Sequence, residues 1–168
     1  RATHLMLNSG VKNPIFFVSG EKVNPNDHRN IGILKAFIEL GLKWNEEMFF
    51  PISGYDTKSG RETALKLLEQ RTVDGIFCYS DQVAFGVLRA LHEKNLRTPQ
   101  DIRLIGFDNL PQSALSIPSL TTIAQPVEAL VKETIHIIKR RQSNPKEAIL
   151  SILMPTKLIA RESFPEKL

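Results

Sequence analysis

Long apolar runs are missing from this sequence, and cysteine, tryptophan and tyrosine are scarce, at one, one and two residues. A membrane-spanning helix requires roughly 18 to 20 uninterrupted apolar residues, and no stretch here approaches that. The start of the chain also lacks the basic and then apolar pattern of a secretory signal. With one cysteine no internal disulfide can form, and Cys78, set in the apolar run 75–79, reads as a small buried hydrophobe. The expected setting is soluble, reducing and cytoplasmic.

Chemical signatures are sparse as well. The four histidines, His4, His28, His92 and His136, fall on separate segments with no paired ligand spacing, so no metal is expected. There is no G-x-S-x-G elbow and no G-x-G-x-x-G after an apolar run, so neither a hydrolase nucleophile nor a dinucleotide cofactor is expected. The stretch 54–60, GYDTKSG, glances at a phosphate loop, but its Lys-Ser precedes the closing glycine. The formal charge of +4 arises from 22 basic residues scattered among 18 acidic ones. Only 139–141 forms a basic run, so direct nucleic-acid binding by this chain lacks its footprint.

What is present is alternation. Residues 14–18, 48–52, 75–79 and 102–107 are short apolar runs closed by turn residues, the pattern of strands covered on both faces. Between them lie helical spacings over 27–40, 63–69 and 83–91, the last preceded by a Ser80-Asp81 cap signal, and a further helix is expected over 1–8. The loop 108–122 is broken by Pro111 and Pro118, a helix of about four turns follows over 127–141, and a final strand is expected at 152–160. Strands alternating with helices predict an α/β fold with a doubly wound parallel sheet, since each crossover returns the chain to the same sheet.

In such sheets ligands bind beyond the carboxyl ends of the strands. That rule selects Arg29 after the first strand, Tyr55 after the second, Ser80 and Asp81 after the third, and Asp108 with Asn109 after the fourth. An arginine, an aromatic ring and several carboxylate or amide groups at one rim suit a polyhydroxylated ligand. Plainer roles stand beside these. Ser80 or Asp81 can simply cap a helix, Asp108 can form an Asx-turn, and Tyr55 can cover a core edge. Arg29 is harder to explain away, because a cation near a helix N-terminus opposes the macrodipole and calls for a polar or anionic partner.

The stretch 102–126, IRLIGFDNLPQSALSIPSLTTIAQP, resembles the V-x-G-[FY]-D-[DN] … P-x-L-T-T-[IV]-x-Q-P signature of LacI/GalR transcription regulators. Residues 73–86, VDGIFCYSDQVAFG, are similar to that family's strand and N-D-x-x-A-x-G helix start, with Ser80 where asparagine is common. Arg29-Asn30-Ile31-Gly32 resembles its R-x-x-G, and 158–163, LIARES, its closing strand and R-x-S tail. The resemblance implies a periplasmic-binding-protein-like type I lobe, part of a two-lobed effector domain. Residues 1–120 and 145–168 would form the C-terminal lobe, and 121–144 a crossover and helix belonging to the other lobe. It also implies a helix-turn-helix head preceding this chain and a homodimer acting on operator DNA through that head.

The expected ligand is a sugar, sugar phosphate or purine-like effector, with no cofactor, no enzymatic activity and no membrane partner. Carried over by position, Arg29 grips effector hydroxyls or carboxylates, Tyr55 packs on the ligand ring, Asp108 is the acidic ligand and Gln125 lies at the crossover. Ser80 has fewer hydrogen-bonding atoms than asparagine, which shifts its contact to Asp81. The alternative on the same fold is a type I periplasmic sugar-binding protein. An enzyme using Asp81 and Asp108 as an acid and base pair lacks a nucleophile, metal or cofactor motif. The apolar stripe of 127–141 is expected either to pack back on its own lobe or to meet another copy.

Overall fold

The computed structural model describes residues 1–166 except 21–23, 25, 147, 149 and 150. Its six-stranded sheet has the order β2-β1-β3-β4-β5-β6, formed by β1 (Pro14–Ser19), β2 (Phe49–Ile52), β3 (Gly75–Phe77), β4 (Arg103–Asp108), β5 (Thr121–Ala124) and β6 (Lys157–Ile159). The first five run parallel, and β6 is antiparallel to β5. The helices are α1 (Ala2–Asn8), α2 (His28–Glu39), α3 (Thr57–Gln70), α4 (Asp81–Glu93) and α5 (Val127–Ser143).

The unbroken apolar strands serve two cores. Ile15 and Phe17 of β1, Ile76 of β3 and Leu104 of β4 pack with Ala64 and Leu67 of α3 and with Val83 and Val87 of α4. Their neighbours Phe16, Val18, Phe77 and Ile105 point the other way, onto Met6 of α1 and Ile33 and Phe37 of α2. Period-two alternation therefore feeds both faces of a doubly wound sheet, and each large side chain so buried contributes roughly 1.5 to 3 kcal/mol. Gly41 holds a φ of +64° just past α2, the left-handed turn that a glycine C-terminal signal provides.

Four expectations are revised. The third helix begins at Thr57, six residues before the expected 63, because its polar first turn is capped by Asp56, whose Oδ1 accepts the Ser59 N–H at 2.7 Å. That places most of the GYDTKSG stretch inside a helix. The segment 121–124 is not free crossover but a strand paired with β4, with Thr121 and Thr122 fully buried, so the departure from this sheet begins at Gln125. The last strand is three residues long, not nine, and runs antiparallel. Finally, of the two outcomes expected for α5, packing back on its own lobe does not occur: none of its residues is buried, and Val127, Leu130, Val131, Ile135 and Ile138 are 39 to 59% exposed.

Candidate functional site

The carboxyl ends of β1, β3, β4 and β5 converge where the strand order reverses, between β1 and β3. This is the place where an open α/β sheet leaves a crevice. A cavity of about 860 Å³ opens over the carboxyl ends of β3, β4 and β5 on the α1–α2 side, lined by Arg29 and Gly32 of α2, Phe77 and Phe107 from the sheet, Gln125 and the returning segment at Thr156.

Arg29 is built into its place by three elements. Asp27 caps α2, its Oδ1 accepting the Arg29 and Asn30 backbone N–H groups at 2.8 and 3.3 Å. The Arg29 guanidinium lies between two rings, 4.3 Å from the Tyr79 centroid and 4.2 Å from that of Phe107. The Tyr79 hydroxyl donates to Asp27 Oδ2 at 3.0 Å, which closes the arrangement, and burial together with that bond pushes the phenol pKa up. Tyr55, more than half exposed, sets its ring 5.4 Å from that of Tyr79. Tyr55, Tyr79, Arg29 and Phe107 thus form one continuous chain of contacts, with the two tyrosine rings tilted by 50° to each other. Each cation–π contact is worth roughly 0.5 to 2 kcal/mol, rising with desolvation.

On the opposite side Gln125 Nε2 donates to Asp108 Oδ1 at 2.6 Å. Burial raises the Asp108 pKa, against the opposing effects of the Gln125 hydrogen bond and the Arg29 charge. Asp108 and Asn109 both hold left-handed backbone, with φ of 117° and 55°. Such strain persists only where surroundings enforce it. Here Asn109 N donates to Thr122 Oγ1, and Arg161 donates to Asn109 Oδ1 at 2.8 Å.

Of the seven residues selected from the sequence, Arg29 and Gln125 line the cavity, Asp108 is bonded to Gln125, Asn109 accepts from Arg161, and Tyr55 lies against Tyr79. Asp81 is turned into the interior, whereas Ser80 is half-buried just past the end of β3. Ser80 caps α4, its Oγ accepting the Val83 N–H at 3.3 Å. Asp81 is completely buried, and its carboxylate accepts from Ser113 Oγ at 2.6 Å, Thr122 Oγ1 at 2.6 Å and Leu110 N at 2.8 Å. It knits α4, the loop after β4 and β5 into the frame that carries Asp108. It is a frame residue in this geometry, and it does not form an acid and base pair with Asp108.

Sequence reading missed Tyr79 and Phe107. Both were counted as strand residues, although their positions beside Ser80 and Asp108 place them at the same carboxyl edge. Among the described residues no cluster of three metal-ligating side chains occurs, and no helix is long and apolar enough to cross a membrane.

The family model for the periplasmic binding protein-like domain matches residues 3–164. The chain is 34% identical over 173 aligned residues to the HTH-type transcriptional repressor PurR of Pasteurella multocida, covering 99% of this chain and 50% of that protein. It superposes on a LacI-type transcription regulator from Bifidobacterium animalis subsp. lactis with a TM-score of 0.86 at 25% identity, over 96% of this chain and 62% of that one. A LacI family regulator from Enterococcus faecium with bound ribose shares the fold, with a TM-score of 0.81 at 24% identity over 98% of this chain and 61% of that one. The chain therefore spans about half the length of the curated repressor that it matches. These relatives are named as transcription regulators. With the two-core sheet, the 102–126 signature and a family match over nearly its whole length, the chain belongs to the periplasmic binding protein-like domain family, in its LacI/GalR regulator type.

Proposed function

We propose that this chain is the effector-sensing lobe of a LacI-type transcription regulator, and that a small molecule bound at the carboxyl edge of its sheet is signalled to a DNA-binding head outside the chain. The observation that carries the reading is the Arg29 guanidinium, set against the Tyr79 and Phe107 rings at the 860 Å³ cavity with no hydrogen bond or ion pair from its side chain among the described residues. Arg29 supplies donors, the Gln125 and Asp108 pair supplies both donors and acceptors, and Tyr55 offers a ring to a ligand face. An effector that favours one arrangement of the lobes shifts their equilibrium by its differential affinity, and only by that amount. The transporter-associated binding protein is the weaker reading, because the named relatives are regulators.

Residues 1–124 and the closing strand belong in this reading to one lobe, and α5 to a second lobe that covers its apolar stripe. A second surface fits the homodimer. Phe85 and Leu88 of α4, with Leu115 and Ile117 of the loop after β4, line a groove of about 500 Å³, and Leu115 and Ile117 are 80 and 94% exposed. A contiguous apolar patch of this kind marks an interaction surface, and two copies meeting there would form a self-complementary contact. The test uses the full-length protein. Arg29→Ala should abolish effector response while operator binding persists. An Arg29→Ala protein that responds normally would refute the site. Ile117→Glu should lower the dimer's stability without unfolding the lobe, as seen by sedimentation.

A further inference from the structure

The cavity differs from a neutral polyol site in the charge of its walls. Four of its lining residues are basic, Arg1, His28, Arg29 and Lys35, and no carboxylate among the described residues lines it. Lys35 has a 3.6 Å contact to Glu39, whose other oxygen is taken by His4, and that carboxylate is not among the lining groups. Asp108, a carboxylate at the end of β4 on which the Arg29 charge acts, is bonded to Gln125 and is not among the lining groups. Asp27 already accepts two backbone N–H groups and the Tyr79 hydroxyl.

Arg29 is also incompletely satisfied. Among the described residues its side chain makes no hydrogen bond and no ion pair, and its Nε is shut off from solvent without an acceptor. Tyr79 and Phe107 approach the guanidinium carbon to 4.3 and 4.2 Å and accept none of its N–H groups in a hydrogen bond, which leaves those donors for recognition. A planar edge of parallel N–H donors matches the paired oxygens of a carboxylate or phosphate better than it matches single hydroxyls. A ligand oxygen reaching Nε would also satisfy a donor that the fold leaves unmatched.

Building on the effector-sensing reading, we infer that the effector carries an anionic group, a phosphate ester or carboxylate, held by the edge of Arg29 with His28 and Lys35 beside it. Tyr79 and Phe107 are then positioning residues: they touch the guanidinium, not the anion, and fix the plane in which it meets the ligand.

Calorimetric titration of the full-length protein at neutral pH tests this with matched probes: D-ribose and its terminal phosphate ester, D-glucose and its terminal phosphate ester, glucuronate, inorganic phosphate, and adenine as a neutral planar compound. An anionic member should bind about tenfold or more tightly than its neutral counterpart. That preference should weaken with added salt. Arg29→Gln should bring the pair near parity; loss of the two ring contacts should also lower the unliganded melting temperature, so parity is read on a variant that still melts cooperatively above the titration temperature. Whether the phosphate esters or glucuronate bind better identifies the anion. A neutral sugar or adenine binding as tightly as any anionic probe overturns the inference and leaves the effector-sensing reading standing. Anionic preference that survives Arg29→Gln also overturns it, since the attraction would then be diffuse. If no anionic probe binds, the inference falls, while the effector-sensing reading, which names no compound, stands or falls on Arg29→Ala.

Discussion

Two glycines at the α3–α4 contact allow a perturbation whose sign opposes simple helix propensity. A Cβ on Gly86 would lie 2.1 Å from the Thr57 carbonyl oxygen and 2.5 Å from Arg61 N, and one on Gly60 would lie 2.2 Å from the Val83 carbonyl oxygen. These neighbours are backbone, so no rotamer change relieves the overlap, and the helices must part by about 1 Å to reach ordinary contact. Parting them loosens the packing of Ala64, Leu67, Val83 and Val87 beneath. Overpacking of this kind costs about 1 to 3 kcal/mol, and a backbone clash belongs at the upper end. Glycine to alanine in a helix interior returns about 1 kcal/mol, so Gly86→Ala should destabilise by a net of about 2 kcal/mol. For a unit of this size that lowers the melting temperature by roughly 4 to 8 °C. Gly32 in α2 is the internal control, since a Cβ there meets nothing within 4 Å. Gly32→Ala should therefore stabilise the unliganded protein by about 0.5 to 1 kcal/mol. Thermal melts of the two variants beside the parent protein are sufficient. If Gly86→Ala melts at or above the parent, the close helix approach is wrong.

Three further outcomes are expected. Asp81→Ala strands three donors in the interior, at about 1 to 3 kcal/mol each, and should be among the most damaging single changes to folding, read by urea unfolding. Asp108→Asn should leave the unliganded protein as stable as the parent or more so at neutral pH. Burial raises the folded pKa of Asp108, so any stabilisation from that group is present only below its unfolded pKa and is lost as pH rises through the folded value, and asparagine also tolerates the φ of 117° better than aspartate does. A clear loss of stability at pH 7 would show that the ionised carboxylate supports the fold. Glu93 behaves oppositely: Arg61 and Arg89 hold its pKa down to about 2 from 4.5, so its contribution is present above about pH 4.5 and disappears as pH falls towards 2. The stability difference between the parent and Glu93→Gln should close over that window, and a difference independent of pH would contradict the pairing.

How much of this was legible in the chain depends on what each signal encodes. Strand positions and the two-sided sheet were readable, because burial on both faces demands apolar residues at every strand position and β1 supplies Ile15, Phe16, Phe17 and Val18 without interruption. The start of α3 was not readable. Thr57, Lys58, Ser59 and Gly60 carry no apolar periodicity, and the glycine that looks like a helix breaker is there because α4 passes too close for any side chain. β5 was hidden for a related reason. Thr121 and Thr122 look polar, yet both are buried because their hydroxyls are used within the fold, that of Thr121 by the backbone of Arg161 and Phe164 and that of Thr122 by Asp81.

The site shows the same boundary between position and direction. Chain order places Ser80, Asp81 and Asp108 at strand ends, and from that alone all three are equal candidates for a ligand. Whether a carboxylate faces the crevice or the interior depends on what waits on each side. For Asp81 the interior offers Ser113, Thr122 and the Leu110 N–H, none of them near it in sequence, and Gly106 clears the space it needs: a Cβ there would sit 2.2 Å from Asp81 Oδ1. For Asp108 the interior offers no such set, and its partner Gln125 stands at the cavity wall. An aspartate that finds three donors inside becomes part of the frame, and one that finds a single amide at the rim stays available. The glycine at 106 was the readable trace of that choice, two residues from Asp108 and unexplained by any turn.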